Sequence, residues 1–340
     1  MSISIGSVKT RNRVFLAPMS GVTDEPFRSA AHAQGAGLVV TEMVASEELY
    51  NARPDMVRRT RNHGQIRPFV MQLAGREARW MGEGARIAQD LGADIIDINM
   101  GCPSRQVTGG LSGSALMRDL DHALTLIRAT VDAARVPVTL KMRLGWDRDS
   151  LNAPELARRA EAEGVTLVTV HGRTRCQFYG GKADWAAIRA VRDAVSIPLV
   201  ANGDAQSAED ARAMLAASGA DAVMIGRGAY GRPWWPGVIA EGLDPGTGIR
   251  VPSLVEEARL VAAHHLAIMD FHGPHHGNRI ARKHIGWVIS RLTERGLLNA
   301  EADKTWRACL LQTQDNSVVA LGLNDLYETA LRAGDATQCR

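Results

Sequence analysis

Short apolar runs recur along the first two thirds of this chain in two alternating forms. One opens with Gly and a small residue: Gly35-Ala-Gly-Leu-Val-Val-Thr, Gly92-Ala-Asp-Ile-Ile-Asp-Ile, Gly164-Val-Thr-Leu-Val-Thr-Val and Gly219-Ala-Asp-Ala-Val-Met-Ile. The other mostly opens with Pro: Pro68-Phe-Val-Met-Gln-Leu, Pro137-Val-Thr-Leu-Lys-Met and Pro198-Leu-Val-Ala-Asn-Gly, with Val14-Phe-Leu-Ala-Pro at the start. Richness in β-branched residues and flanking Gly or Pro mark such runs as strands. Between them lie segments of helix-forming composition, among them Arg76–Asp90, Asp119–Ala134, Ala153–Glu163, Asp184–Ala194 and Ala208–Ala217. Interleaved, the two forms give eight strand-helix units over about 240 residues, the size and rhythm of a (β/α)8 TIM barrel. A doubly wound open sheet is the main competitor, but it does not call for so even an alternation. The expected fold class is α/β, with the barrel spanning residues 1–242.

The rhythm stops near Leu243-Asp-Pro-Gly-Thr-Gly248, a turn-rich stretch that reads as a linker over residues 243–251. Only helical patterns follow: Leu254–Phe271, Arg279–Arg295, Ala300–Cys309 and Asn324–Arg332. Residues 252–335 are expected to form a small all-helical domain. The net charge of +3 is mild, yet from His264 to Arg295 five cations (Arg279, Arg282, Lys283, Arg291, Arg295) stand against two anions (Asp270, Glu294). Such a patch either follows a phosphate backbone or is a solvated helix face. The His272–His276 tract has no cysteine or carboxylate cluster beside it, so no metal is expected. Cys102, Cys176, Cys309 and Cys339 stand far apart with no C-x-x-C pair, which argues against a disulfide framework or a zinc site. No apolar run reaches the length of a membrane span, and Met1–Arg13 lacks the apolar core of a signal peptide. A cytoplasmic protein without membrane contact is expected.

A barrel gathers its functional residues at the carboxyl ends of its strands. The end of strand 4, Asp94-Ile-Ile-Asp-Ile-Asn-Met-Gly-Cys-Pro103, is the densest in chemistry. Gly101 and Pro103 stop the strand and leave the Cys102 thiol on a stiff turn, where it is either a reacting group or a small buried hydrophobe. Strand 1 ends in Pro18-Met19-Ser20, strand 3 in Gln72, strand 5 in Lys141 and Arg143, and strand 6 in His171 and Arg173. Strand 7 ends in Asn202-Gly203-Asp204 and strand 8 in Gly226-Arg227-Gly228. Glycines at those two ends let backbone N–H groups close on an oxyanion, the usual phosphate position in these barrels. Lys141 and His171 end apolar strands, where an unpaired charge is costly, so an anionic partner is expected nearby. Gln72 offers both a donor and an acceptor to the edge of a planar heterocycle. At one end of consecutive strands, these residues together favour a phosphate-bearing heterocycle.

The sequence resembles the bacterial tRNA dihydrouridine synthases over nearly its whole length. The resemblance rests on Ala17-Pro-Met-Ser-Gly-Val-Thr-Asp24, Asn99-Met-Gly-Cys-Pro103, Leu116-Met117 after Gly113-Ser114, His171-Gly-Arg-Thr-Arg175, Ala201-Asn-Gly-Asp204, Ile225-Gly-Arg227 and Gly231-Arg-Pro-Trp234. Arg279-Ile-Ala-Arg-Lys-His284 is similar to the B-type branch, which hints at position 17 of the D-loop. Gly109-Gly110 depart from the pattern, standing where relatives often carry basic residues, and suggest a more mobile catalytic loop. The resemblance implies FMN at the barrel mouth and NADPH as reductant. Pro18, Met19 and Ser20 would lie along the isoalloxazine, Gln72 and Lys141 would bind its polar edge, and His171 would stand with them. Asn202, Gly203, Asp204, Gly226 and Arg227 would hold the ribityl phosphate. Cys102 becomes the proton donor to a D-loop uridine of tRNA, with Asn99 orienting the base. Arg173, Arg175, Arg279, Arg282 and Lys283 become tRNA contacts. A monomer is the default. Two rival readings remain: a Schiff-base aldolase acting through Lys141 on a phosphorylated substrate, and a non-catalytic RNA-binding barrel.

Overall fold

The computed structural model describes residues 1–63 and 66–338, with side chains to residue 334; Cys339 lies outside the described residues. Eight parallel strands carry the first two thirds: β1 (Val14–Leu16), β2 (Leu38–Val39), β3 (Val70–Ala74), β4 (Ile95–Met100), β5 (Val138–Arg143), β6 (Leu167–His171), β7 (Leu199–Asn202) and β8 (Ala222–Ile225). Their order around the sheet is 2-1-8-7-6-5-4-3. The ring closes between β2 and β3 through a Val40–Val70 bridge, and Val44–Ala45 pairs with Leu73–Ala74 just above it. The expected TIM barrel is therefore present, with every strand where the apolar runs put it. The antiparallel pair Ser4–Ile5 and Val8–Lys9 plugs the amino-terminal end, and Ile5 is fully buried there.

Helices wrap the outside of the ring and bury its outward-facing side chains. The first, α1 (Glu25–Ala33), is capped by Asp24, whose carboxylate accepts the Phe27 N–H. The segment Asp184–Ala194 reads as one helix in sequence but splits into a 3-10 turn, Ala186–Ile188, and a short α-helix, Arg189–Arg192.

Four long helices follow Ser253: α2 (Leu254–His272), α3 (Pro274–Glu294), α4 (Ala300–Gln312) and α5 (Asn316–Gln338). A capping box between Ser253 and Glu256 starts α2, and Gly273 at φ 77° ends it. Ile268, Ile285, Ile289, Leu292, Leu310, Leu323 and Leu326 form their shared core, into which Trp234 of the barrel inserts. Two of these helices begin earlier than their sequence patterns suggest. The start of α3 is Pro274 rather than Arg279, and that of α5 is Asn316 rather than Asn324. Both extensions run through a glycine packed close against a neighbouring helix. A Cβ on Gly277 would stand 3.0 Å from the Ile268 carbonyl oxygen, and one on Gly322 would stand 2.6 Å from Leu310 Cδ2. Among the described residues no helix is long and apolar enough to cross a membrane.

Candidate active site

Strand alternation sorts the side chains of the site. In β4, Ile96, Ile98 and Met100 face the outer helices, while Ile95, Asp97 and Asn99 take the inward positions. By the same register β5 turns Thr139, Lys141 and Arg143 inward. Phe15, Val70, Ile95, Leu167, Val200 and Ala222 fill the lower barrel with apolar side chains. Above that floor lies a polar layer of Gln72, Asp97, Asn99, Thr139, Lys141, His171 and Asn202, at the carboxyl ends of the strands.

A continuous hydrogen-bond chain runs through this layer. Asp97 accepts from Thr139 Oγ1 at 2.6 Å and from Gln72 Nε2 at 2.7 Å. Gln72 Oε1 accepts from Asn99 Nδ2 at 2.8 Å, and Asn99 Oδ1 accepts the backbone N–H groups of Gly101 (3.2 Å) and Cys102 (3.0 Å). The half-buried Cys102 is held from the other side by Ser114, whose N–H and hydroxyl both donate to its carbonyl oxygen. Gly113, at φ 59°, allows that return: a Cβ there would meet the Cys102 carbonyl oxygen at 2.9 Å. Burial pushes the Cys102 thiol above its ordinary range, against the pull of the Ser104 N–H, Arg143 and Lys141. The thiol therefore stays protonated at neutral pH. Just beyond, Gly109 and Gly110 end a short helix, Arg105–Gly109, and a Cβ at Gly109 would meet nothing within 4 Å.

Lys141 Nζ donates to Asn202 Oδ1 at 3.2 Å, and Asn202 is anchored through its own amide to the Met224 carbonyl. Burial, then repulsion from Arg143, lowers the Lys141 ammonium to about 8 despite the opposing charge of Asp97. Arg143, named from the sequence only as a strand end, joins two loops by donating to the carbonyls of Gly101, Thr174 and Phe178. His171 Nε2 receives a donor from Arg173 at 3.2 Å, which leaves the ring proton on Nδ1. Burial, reinforced by Lys141, Arg143 and Arg173, holds that imidazole neutral, well below its ordinary value.

Two residues play other parts than the sequence suggested. Arg173, expected at the RNA, is 1% exposed and directs its five N–H donors to Gly180, Gly181, His171 and both oxygens of Asp204. Asp204, expected at the phosphate, has its oxygens taken by Arg173, Arg227 and the Ala183 N–H. Burial works against its charge, but the Arg173 and Ala183 hydrogen bonds keep its carboxyl below the usual range. Asp204 thus reaches the mouth only through Arg227, whose guanidinium stays half exposed and lies 5.9 Å from the centre of the Tyr179 ring. The two glycines also differ. Gly203 sits at φ 128° with Ala183 Cβ only 2.6 Å from where its own Cβ would be, so the chain path itself demands glycine. At Gly226 a Cβ would touch only Met19 Sδ (3.7 Å) and Ala17 Cβ (3.8 Å), which makes it the open floor of a cradle between β1 and β8. Pro18 and Met19 are half-buried at that edge, and Ser20 is exposed.

A sequence model of the family described as Dihydrouridine synthase (Dus) matches residues 15–333. The chain belongs to this family. It is 60% identical over 284 residues to a probable tRNA-dihydrouridine synthase of Rhizobium leguminosarum bv. phaseoli, covering 84% of this chain and 87% of the relative. It is 44% identical over 335 residues to tRNA-dihydrouridine synthase B of Pseudomonas syringae pv. tomato, covering 98% and 97%. Solved structures of similar fold include morphinone reductase, at TM-score 0.51 and 15% identity over 71% of this chain and 88% of that one. Another is a 6-hydroxypseudooxynicotine amine oxidase from Pseudomonas geniculata N1, at TM-score 0.56 and 16% identity over 71% and 49%. As a dihydrouridine synthase family member the chain is an oxidoreductase, and the Schiff-base and non-catalytic readings fall away.

The remaining basic residues expected at the RNA divide. Arg175 donates to Thr108 and stacks over Trp146 at 4.6 Å, bracing the loop behind Cys102. Lys283 Nζ donates to the Gly21 carbonyl and so grips the loop that follows Pro18-Met19-Ser20. Arg291 and Arg295 pair with Glu294 and Glu257. Of the four expected at the RNA, Arg279 and Arg282 line a surface cleft of about 430 Å³ with His275, Asn278 and Asn316, and Arg282 Nη2 also donates to the Thr313 carbonyl at 3.2 Å. Asp97 and Thr139 escaped the sequence reading altogether. The signal was available in the period-2 register, which puts Asp97 on the same face as Asn99 and Thr139 on that of Lys141.

Proposed function

We propose that this chain is an FMN-dependent tRNA-dihydrouridine synthase, reducing the C5=C6 bond of a D-loop uridine with NADPH as the electron source. The Cys102 thiol, fixed on its turn beside a layer of hydrogen-bond donors, is the observation that carries the reading.

The donor set fits FMN. Arg227 presents a half-exposed guanidinium at the mouth, and behind it Lys141 and the buried cations Arg143 and Arg173 outnumber the carboxylates of Asp97 and Asp204, an excess of positive charge suited to a phosphate ester. The Gly226 cradle would take the phosphate, with the backbone at Gly203 and the guanidinium of Arg227 around it. Lys141 and Gln72 would bind the polar edge of the ring system, Asn202 would hold Lys141 in place, and Pro18 and Met19 would flank the cofactor. His171, neutral with its proton on Nδ1, would add a donor.

When bound and reduced, FMN supplies hydride to C6 of the uracil. Hydride addition turns the C4 carbonyl into an enolate, which needs a proton at C5. Cys102 gives that proton, and solvent restores it to the thiolate. Asn99, whose Nδ2 retains a free N–H, meets a carbonyl oxygen of the base. The base leaves its stack to reach the barrel, while Arg279 and Arg282 hold the tRNA backbone on the helical domain, residues 252–335. Residues 1–242 would then form the FMN-binding catalytic domain.

An absorbance spectrum of the purified protein is the first test. A flavin band bleached by NADPH and restored by unmodified tRNA, with dihydrouridine formed, is the expected result. Colourless protein that neither takes up FMN nor modifies tRNA would overturn the proposal.

A further inference from the structure

Asp97 is a buried carboxylate two residues before Asn99 in β4, and the mechanism above makes no use of it. A carboxylate can only accept hydrogen bonds, whereas the two ends of a side-chain amide are alike in shape and differ only in donor or acceptor character. That difference propagates. Burial raises the Asp97 carboxyl above its ordinary value, while the Thr139 and Gln72 hydrogen bonds and the Lys141 charge favour the ionised form. As a carboxylate it only accepts, so Gln72 gives it Nε2, which leaves Gln72 Oε1 for Asn99 Nδ2. Asn99 is then left with Oδ1 for the N–H groups of Gly101 and Cys102. One acceptor at the floor of the layer thus sets both amides and closes the turn on the thiol. Thr139 Oγ1 satisfies the other carboxylate oxygen, so Asp97 is itself held fixed.

Each amide nitrogen has two hydrogens and the chain uses one, so the free N–H of Gln72, the free N–H of Asn99 and the Lys141 ammonium are all donors. The sequence left Gln72 open to either role. The structure makes this edge of the mouth a donor surface, matched to carbonyl oxygens and mismatched to exocyclic amines.

We propose that Asp97 is a positioning residue: through Gln72 and Asn99 it fixes the turn that carries Cys102 and leaves the second N–H of Asn99 as a donor beside the thiol. The use made of that turn rests on the reading of Cys102 and Asn99 given above. The positioning clause is tested without turnover.

The test is the pH profile of Cys102 alkylation by iodoacetamide on the purified full chain, read by peptide mass so that Cys176 and Cys309 do not contribute, beside a melting curve. Asp97→Asn, which lets both amides turn over, should move the midpoint down by about half a pH unit or more. Gln72→Met keeps the Asp97 charge but cuts the chain, and should move it the same way. Gln72→Glu added to Asp97→Asn restores an acceptor-only group between two amide nitrogens and should bring the profile back. A folded Gln72→Met protein with the wild-type profile would reduce Asp97 to a local charge and overturn the proposal. So would a double variant no nearer to wild type than Asp97→Asn alone. If Asp97→Asn does not fold, Gln72→Met decides by itself. Failure of the flavin reading would appear in the absorbance spectrum and leave these profiles as they are.

Discussion

The seam between the barrel and the four helices should make the protein acid-labile well above the pH at which its carboxylates titrate. His264 on α2 and His284 on α3 bury their rings against Phe27 of α1, at 5.5 and 5.6 Å between centroids, and stand 5.0 Å from each other. Neither His264 Nε2 nor either nitrogen of His284 has a hydrogen-bond partner among the described residues. Burial lowers His264 from 6.5 to about 4, only partly opposed by Asp24, and burial with His264 holds His284 well below its ordinary value. A histidine whose folded value is depressed binds its proton more readily when unfolded. Its contribution is therefore complete above pH 6.5 and is lost as pH falls from there toward 4. For His264 alone the loss at pH 5, relative to pH 8, is about 2 kcal/mol. His264→Leu removes the titrating ring and the unpaired Nε2 together, so its stability at pH 8 should change little. Melting curves with saturating FMN at pH 8 and pH 5 should show the variant losing less than the wild type by roughly 3 °C. Equal losses in the two proteins would show that these rings are already charged or solvated, and the reasoning would fail.

Cys102→Ala should keep its flavin, its reduction by NADPH and its tRNA affinity, and lose turnover by about 10²–10⁴-fold; single-turnover oxidation of the reduced variant by tRNA measures this, and a wild-type rate with wild-type dihydrouridine yield would remove the thiol from the chemistry. Gly226→Val should fold yet fail to retain FMN, because its side chain fills open space at the mouth, and a variant with full flavin absorbance would relocate the phosphate site. Arg279→Ala with Arg282→Ala should weaken tRNA binding and flatten its log–log salt slope by about two units, with the flavin retained; an unchanged slope would make the cleft a solvated face. Gly322→Ala should lower the melting temperature without touching flavin binding, since its Cβ would stand 2.6 Å from Leu310 Cδ2, and a melting temperature at or above wild type would contradict that packing.

The barrel was legible because alternating Gly-led and Pro-led runs state its rhythm directly, and the strand ends named from those runs supply Gln72, Asn99, Lys141, His171 and Asn202 of the polar layer. What escaped depends on partners far away in sequence. Arg173 carries no mark that distinguishes an internal anchor from an RNA contact. Its burial follows from Asp204, thirty-one positions on, which adopts φ 64° to face it. Asp97 gained a role only from the register, which pairs it with Gln72 of β3. The helical patterns stopped short of Gly277 and Gly322, residues that local propensity disfavours in a helix, while the close approach of a neighbouring helix is invisible to any local window.

The basic segment of α3 also means something different once its contacts are known. Arg279, Arg282 and Lys283 share a face at helical spacing, yet the first two line the surface cleft while the third reaches the Gly21 carbonyl. That carbonyl lies in the loop from Pro18 to Asp24, whose other attachments are the Ala17 N–H to Ile225 in β8 and the Asp24 carboxylate to His272 Nε2 at 2.8 Å. Arg28 Nη1 holds the Thr23 carbonyl from α1 at 2.8 Å, and Glu42 takes the Gly21 N–H. The loop that flanks the barrel mouth is therefore clamped between barrel and helices, with less than one helical turn separating its clamp from the cleft. Arg282 stands one residue from the Lys283 contact with Gly21, so the cleft and the loop beside the mouth are joined through adjacent positions of one helix.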